Sequence, residues 1–417
     1  MANTNLTPTM ITRESLRVLH QKLNFVGNVN RQYDNRFAQE GAKIGTNLNI
    51  RMPAKYTSRT GATLSTQDHV ERSTPLLVAS QIGVDVSFTS VELTMSIDDF
   101  SDRIIKPAMS QLAADIENQC MQQAYKSIAN YTGTTSTQLT YKSFQQNGAS
   151  ISKNLGPTDN RCAWLTPDSV VEFNDATKGL FQSSGNIKQQ YREGMMGRTG
   201  GFDVYENTLI PSHTRGSLAG TPVTNGAALG VSTTANSWSA TTDLAVDGAT
   251  SGTTVKAGDV ITLSGVYDVH PESKTNTGQL KKFVAQEDVT LTTAATSYTV
   301  TVKPALIYGS GNAYQNCTLS GVANTDGLTV TPFGVASTAY GQNIFAHKDA
   351  FVFATADLMD VSEYGAWGAR ETMDGISMRI AKQYDITNDA MPCRLDILYG
   401  FADLYPELAT RGFYALS

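Results

Sequence analysis

Between Ser96 and Gly133 the apolar residues Ile105, Met109, Leu112, Ile116, Cys120, Ala124 and Ile128 recur at steps of three and four. That is the period of one face of an α-helix. Gln111, Asp115, Glu117, Gln122 and Lys126 stand between them and form a wet opposite face. Ser96 and Asp99 make an N-terminal capping pair, and Asp98, Asp99 and Asp102 put negative charge at the positive end of the helix dipole. Gly133 sits where a C-cap glycine would sit. Pro107 cannot donate a backbone hydrogen bond, so it either kinks this helix or begins a second segment. From Ala108 to Asn130 the helix would run roughly 35 Å, and it needs a sheet or another long element beneath it.

The stretches on either side pattern differently. In residues 1–44, Thr12 to Ser15 precedes Leu16, Val18, Leu19 and Leu23, which predicts a short helix. The rest of that arm lacks sustained periodicity and needs a partner surface, in its own subunit or a neighbour's. Residues 45–95 alternate: Leu48, Ile50 and Met52 mark one strand, and Leu76, Val78, Ile82, Val84, Val86 and Phe88 mark a long extended run. Joined by a polar connection, they read as an extended hairpin, folded back on its own domain or laid on another surface.

After the long helix comes a polar loop, then a buried strand from Arg161 to Leu165. Thr166-Pro167-Asp168 opens a helix through Val170, Val171, Phe173 and Ala176. Residues 179–201 read as a glycine-rich polar loop, and Phe202–Tyr205 as a strand. From 222 to 340 Thr, Ser, Gly, Ala and Val dominate and helix signals vanish. Short alternating stretches around Val255–Val266, Lys282–Ala285, Asp288–Leu291 and Tyr298–Val302 predict a small β-barrel or sandwich, with His270–Lys281 as a long loop. It reads as a module inserted into an α+β domain, because strands return at Asn343–Ala346, Ala350–Ala354, Met378–Tyr384 and Cys393–Tyr399. Gly400–Tyr405 reads as the turn that ends the sheet.

Composition narrows the function classes. The 417 residues suffice for two or three domains, and only 17% are charged, which suits uncharged hydrogen-bonding surfaces that can associate. A formal charge of −6 argues against general nucleic-acid binding. Cys120, Cys162, Cys317 and Cys393 lie far apart with no CxxC or Cys/His cluster, which argues against a structural zinc site, and Cys120 reads as a buried apolar residue. The N-terminal residues lack a basic region followed by an apolar run, and no window approaches the roughly 20 apolar residues of a membrane span. The expectation is a chain made in a reducing cytoplasm, with no membrane partner.

Catalytic chemistry finds no foothold. His20, His69, His213, His270 and His347 are scattered, and none stands beside a Cys, Asp or Glu at ligand spacing; His347 reads as a satisfied surface histidine. The segment from Arg192 to Gly201 lacks the spacing of a phosphate loop, and no nucleophile-elbow, zincin or dinucleotide fingerprint occurs. Asp98 with Asp99, and Glu363 with Asp374, are better explained by capping and solvation than as catalytic pairs, and Trp164 and Trp367 read as core anchors. No catalytic, cofactor-binding or metal residue is assigned, and no cofactor is expected.

The order of parts resembles the major capsid proteins of tailed bacteriophages, whose fold is the Hong Kong 97-like capsid fold, and most of all the coat proteins of Salmonella-type short-tailed phages. Residues 98–117 carry the resemblance for a spine helix, 255–266 for the inserted barrel, and 202–211, 344–355 and 394–401 for the domain near the capsomer axis. The resemblance implies an N-terminal arm (1–44), an extended hairpin loop (45–95) and a spine helix with peripheral domain (96–160). It further implies a first axial part (161–221), the inserted β-barrel (222–340) and a second axial and peripheral part (341–417). It implies self-assembly through hexamers and pentamers into an icosahedral shell around double-stranded DNA. Implied partners are scaffolding, portal and decoration proteins; the implied location is the virion, after assembly in the host bacterial cytoplasm. Some relatives cross-link a hairpin lysine to a neighbour's asparagine. Lys55 is the only lysine of 45–95, but the closer relatives do not cross-link, so none is expected here.

Two rival classes make different demands. A secreted or surface module with a carbohydrate-binding barrel calls for a signal peptide and aromatic-rich loops. A hydrolase built on the loop 179–201, through Ser183 or Ser184, calls for a nearby base, and that loop has neither Cys nor His.

Overall fold

The long amphipathic stretch folds as helix α1, Lys106–Ser127. In this computed structural model the described residues are 23–32, 47–64, 66–89, 106–134, 138–177, 197–291, 297–359, 361, 367–373, 376–388 and 390–415. The expected cap at Ser96 to Asp102 therefore lies outside the described residues. Pro107 stands at the second position of α1, where its missing N–H costs nothing, so it opens the helix and does not kink it. Met109, Leu112, Ile116, Cys120 and Ala124 are buried, as the period requires. Gly133 is not the C-cap. It ends the strand Tyr131–Gly133 at φ +94°, and a Cβ there would strike the Phe413 carbonyl oxygen.

The chain divides into two compact units, one drawn from 1–50, 74–121 and 351–404, the other from 51–73, 122–350 and 405–417. In the first, Ala390–Asp403 is the organising strand. It pairs antiparallel with Phe351–Ala356, with Ile376–Lys382 (itself paired to Trp367–Met373) and with Ser80–Thr89. The expected turn after Tyr399 is four more residues of that strand, because Gly400 to Asp403 continue the ladder with Phe351–Ala354. The expected long run from Leu76 to Phe88 is two strands. Arg72–Leu77 pairs with Asn47–Met52, whereas Ser80–Thr89 joins the larger sheet.

Part of the N-terminal arm packs on this same unit. Phe25 and Val26 are fully buried, and the Phe25 ring tilts against Phe351 and Phe401 at 5.9 and 6.0 Å. Asn30 bridges Val352 in parallel register. The short helix expected from Thr12 lies outside the described residues.

The second unit holds two seven-stranded sheets. One runs Tyr131–Gly133, Ala409–Ala415, Ala339–His347, Arg161–Leu165, Phe202–Glu206, Arg198–Thr199, with His213–Thr214 also on Ala339–His347. Helix α2, Tyr141–Lys153, occupies what reads in sequence as polar loop; a Thr140–Ser143 capping box starts it. Helix α3, Pro167–Thr177, follows the buried strand as expected. Phe144, Phe173, Phe202 and Phe345 interlock beneath them at centroid distances of 4.7 to 5.6 Å.

The other sheet runs Cys317–Leu319, Val260–Val269, Asn276–Ala285, Tyr298–Lys303, Thr242–Ala249, Gly220–Thr224, with Val330–Pro332 also on Val260–Val269. A bridge from Val223 to Thr329 closes the circuit, so the sheet curls into a barrel around Leu244, Leu263, Val266, Phe283, Val302 and Leu306. The loop expected over His270–Lys281 is shorter than the sequence suggests, since Asn276 already begins a strand.

Candidate functional site

The nucleophiles are disarmed by burial. All four cysteines are free and buried. Loss of hydration pushes the Cys162 thiol to about 11 and Cys317 to about 12, and raises Cys120 and Cys393 too. Such thiols stay protonated at neutral pH and attack nothing. Among the described residues no group of three or more His, Cys, Asp or Glu is placed to hold a metal ion, and no helix is long and apolar enough to cross a membrane. Asp98, Asp99, Ser183, Ser184, Glu363 and Asp374 lie outside the described residues. Trp164 is fully buried, as a core anchor should be.

Two histidines depart from the sequence reading. His347 is buried, not a surface residue, with its ring 3.6 Å from Asp349. His213 meets Asp259, 46 positions away, at 2.8 Å, with both side chains buried. This pair looks like two members of a catalytic triad, but His213 has no hydroxyl or thiol partner among the described residues. Its ring lies 5.6 Å from Tyr125, and Asp259 is saturated by the backbone N–H groups of Gly216 and Lys256. A carboxylate so fully satisfied holds the segments around it rigidly in place.

What His213 and Asp259 fasten is the barrel to the body of its unit. Fully buried Arg411 donates from Nη1 to the Gly258 carbonyl at 3.0 Å and lies 5.0 Å over the Phe413 ring. Burial pushes its pKa down to about 9, and Tyr125 and Asp259 hold it from falling further. Gly258, at φ +100°, is obligatory, because a Cβ would meet the Tyr125 and His213 rings. Gln286 reaches the Lys126 carbonyl at 3.1 Å, near the end of α1. Lys282 donates to the Tyr131 carbonyl at 2.8 Å with its ammonium 4.2 Å over the Tyr131 ring. Nothing in the local sequence announces this junction, since its members lie up to 286 positions apart, from Tyr125 to Arg411.

A second contact region lies where residues 51–73 rest on the barrel. The Tyr314 hydroxyl accepts from the Lys55 backbone N–H at 3.1 Å and donates to the Val70 carbonyl at 2.7 Å. The Arg72 guanidinium sits 5.4 Å over the Tyr314 ring, and Asn236 reaches the Asp68 carbonyl at 3.3 Å. Beyond this anchorage the hairpin projects, with Tyr56 62% and Leu64 78% exposed. The Tyr56 hydroxyl meets the His69 ring at 2.8 Å and the two rings stack at 6.2 Å, which ties the two sides of the connection together.

The described residues thus present buried ion pairs, buried thiols and an exposed hairpin connection. The chain belongs to the P22 coat protein family (gene protein 5), matching it over residues 1–414. That family is one of structural phage capsid proteins, not enzymes, and its sheet-rich α+β fold with few helices is the fold described above. No curated protein sequence matches the chain.

Three solved structures show distant likeness. Mycobacterium phage Che8 is 8% identical at a TM-score of 0.49, over 93% of this chain and 90% of that one. The capsid structure of the Cyanophage P-SCSP1u is 11% identical at 0.44, over 89% and 84%. The asymmetric unit of the bacteriophage PhiM1 mature capsid is 10% identical at 0.43, over 89% and 83%.

Proposed function

We propose that this coat protein assembles, through hexamers and pentamers, into an icosahedral shell that encloses the double-stranded DNA genome of a tailed phage. The observation that carries the reading is family membership across almost the whole chain. The low charged fraction and the projecting hairpin support it, since a shell subunit needs broad contact surfaces and not one concave pocket. Residues 45–95 act as the loop that reaches a neighbouring subunit, and 1–44 as an arm toward neighbours and a scaffolding protein. Residues 96–160 act as spine and periphery, 161–221 and 341–417 as the axial domain, and 222–340 as a stabilising barrel. Scaffolding, portal and decoration proteins are the proposed partners, the virion the proposed location, and the host cytoplasm the proposed place of assembly.

The test is negative-stain electron microscopy of the chain expressed alone and with the genes beside its own. Closed shells, tubes or spirals in either sample support the reading. Monomers or small oligomers in both sink it.

A further inference from the structure

We propose that Lys55, Arg72, Lys274 and Lys281, gathered between hairpin and barrel, receive the carboxylate face of a second copy of this chain, formed by Asp243, Asp247 and Glu287. The proposal deepens the shell reading and rests on it.

The cations converge on one spot. The Lys55 backbone N–H reaches the Tyr314 hydroxyl and the Arg72 guanidinium lies over the Tyr314 ring, while the next residue, Gln315, takes the Lys274 ammonium on its carbonyl at 2.9 Å. Lys281 pairs with Asp268 at 2.8 Å. That is the one ion pair within the cluster among the described residues. Burial lowers the Lys274 ammonium to about 8, with Lys55 and Lys281 pushing the same way; burial and then Arg72 lower Lys55, while Glu407 opposes. Arg72 is 8% exposed, and its Nε has no hydrogen-bond partner. Lys274 is held at φ +56°, a region a lysine adopts only under constraint. The fold thus holds like charges together at a cost that an incoming anion relieves.

The opposite pole sits on the same barrel. Asp243 and Asp247 flank Ala245 on the outward side of Thr242–Ala249, where Leu244 and Val246 turn inward. Asp243 and Glu287 both meet the Thr301 hydroxyl, at 2.8 and 3.0 Å. One hydroxyl carries one proton, so one of the two carboxylates goes without it. Asp243, Asp247 and Glu287 make no ion pair among the described residues. Lys274 and Glu287 flank the ten-residue strand Asn276–Ala285 at opposite ends. The two poles do not pair within one chain among the described residues, since none of the three carboxylates is among the charges that act on Lys55 or Lys274. Between copies they fit head to tail, a heterologous contact that propagates or closes a ring, as a shell requires.

The test is assembly, followed by light scattering and electron microscopy, of full-length chains with one or both poles reversed. Lys55→Glu with Lys274→Glu, and Asp243→Lys with Glu287→Lys, should each slow assembly about tenfold or more. The chain carrying all four should regain most of the parent rate. Melting curves of the unassembled chains report folding. Should a reversed chain misfold, Lys274→Gly serves instead. It suits the left-handed backbone, removes one charge, and should slow assembly without lowering Tm. Parent-like assembly by a folded reversed chain or by Lys274→Gly, or no recovery in the folded fourfold chain, overturns the proposal alone. A parent chain that never assembles overturns the shell reading as well.

Discussion

Asp396 shows how single side chains lock this fold. Its carboxylate is fully buried, accepts from Arg379 at 3.1 and 2.8 Å and from Gln81 at 2.6 Å, and forms an ion pair with Arg394 at 2.9 Å, tying three strands together. Asp396→Ala would strand a mostly buried guanidinium without a counter-ion, and should cost about 3–5 kcal/mol in urea unfolding. A loss under about 1 kcal/mol would show that the surrounding ladder, not the ion cluster, holds the sheet.

Lys282 makes the opposite kind of contribution. Burial lowers its pKa to about 8, while Asp268 opposes the shift. Below pH 8 the lysine is protonated in both folded and unfolded chains. Between 8 and the ordinary lysine value of about 10.4 only the unfolded chain keeps the proton, so stability rises with pH across that window. Lys274, also lowered to about 8, adds a similar slope. The four buried thiols, which stay protonated in the folded chain, pull the other way in parent and variant alike, so between pH 8 and 9 the urea midpoint of the parent should rise relative to that of Lys282→Met. Equal slopes would refute the assignment.

At the scale of elements, α1 both carries the first unit's apolar face and pins the arm. Glu117 is buried on it and accepts from the backbone N–H of Phe25 at 2.6 Å and of Val26 at 3.4 Å. Glu117→Ala should speed amide exchange across 23–30 by about tenfold or more, and Glu117→Gln, which keeps an acceptor, by much less. Unchanged exchange in Glu117→Ala would mean that the Phe25 packing suffices. The helix itself was legible, because a long one-sided apolar stripe has few readings, and the barrel was legible from its repeated short alternation. Helix α2 was not. Its buried face is Phe144, Asn147, Gly148 and Ile151, so only two of four inward positions are large and apolar. Ala409–Ala415 was missed for another reason. Buried between two strands, with Arg411 and Gly412 inside it, it shows no alternation to read. The His213–Asp259 pair was illegible because only the fold brings the two together.

At the scale of the whole molecule, chain order and spatial order disagree, and this sets an order of folding. The barrel draws its core from one continuous stretch, Leu218 to Val330, so its closing contacts are available as soon as that stretch exists. The adjoining sheet of the same unit is interrupted by the departure of 351–404 to the other unit, and is completed only by Ala409–Ala415, which lies between Tyr131–Gly133 and Ala339–His347. A chain ending at Leu404 would lose that central strand and with it Arg411, the buried guanidinium that bonds to Gly258. In such a chain limited proteolysis should cut within 138–206 while leaving the barrel intact, with fragments identified by mass spectrometry. Cleavage inside the barrel as fast as in the sheet would show that the barrel depends on its junction and does not fold first. If the order holds, no subunit presents a finished second unit before Ala409–Ala415 is made, and assembly cannot begin on chains that lack it.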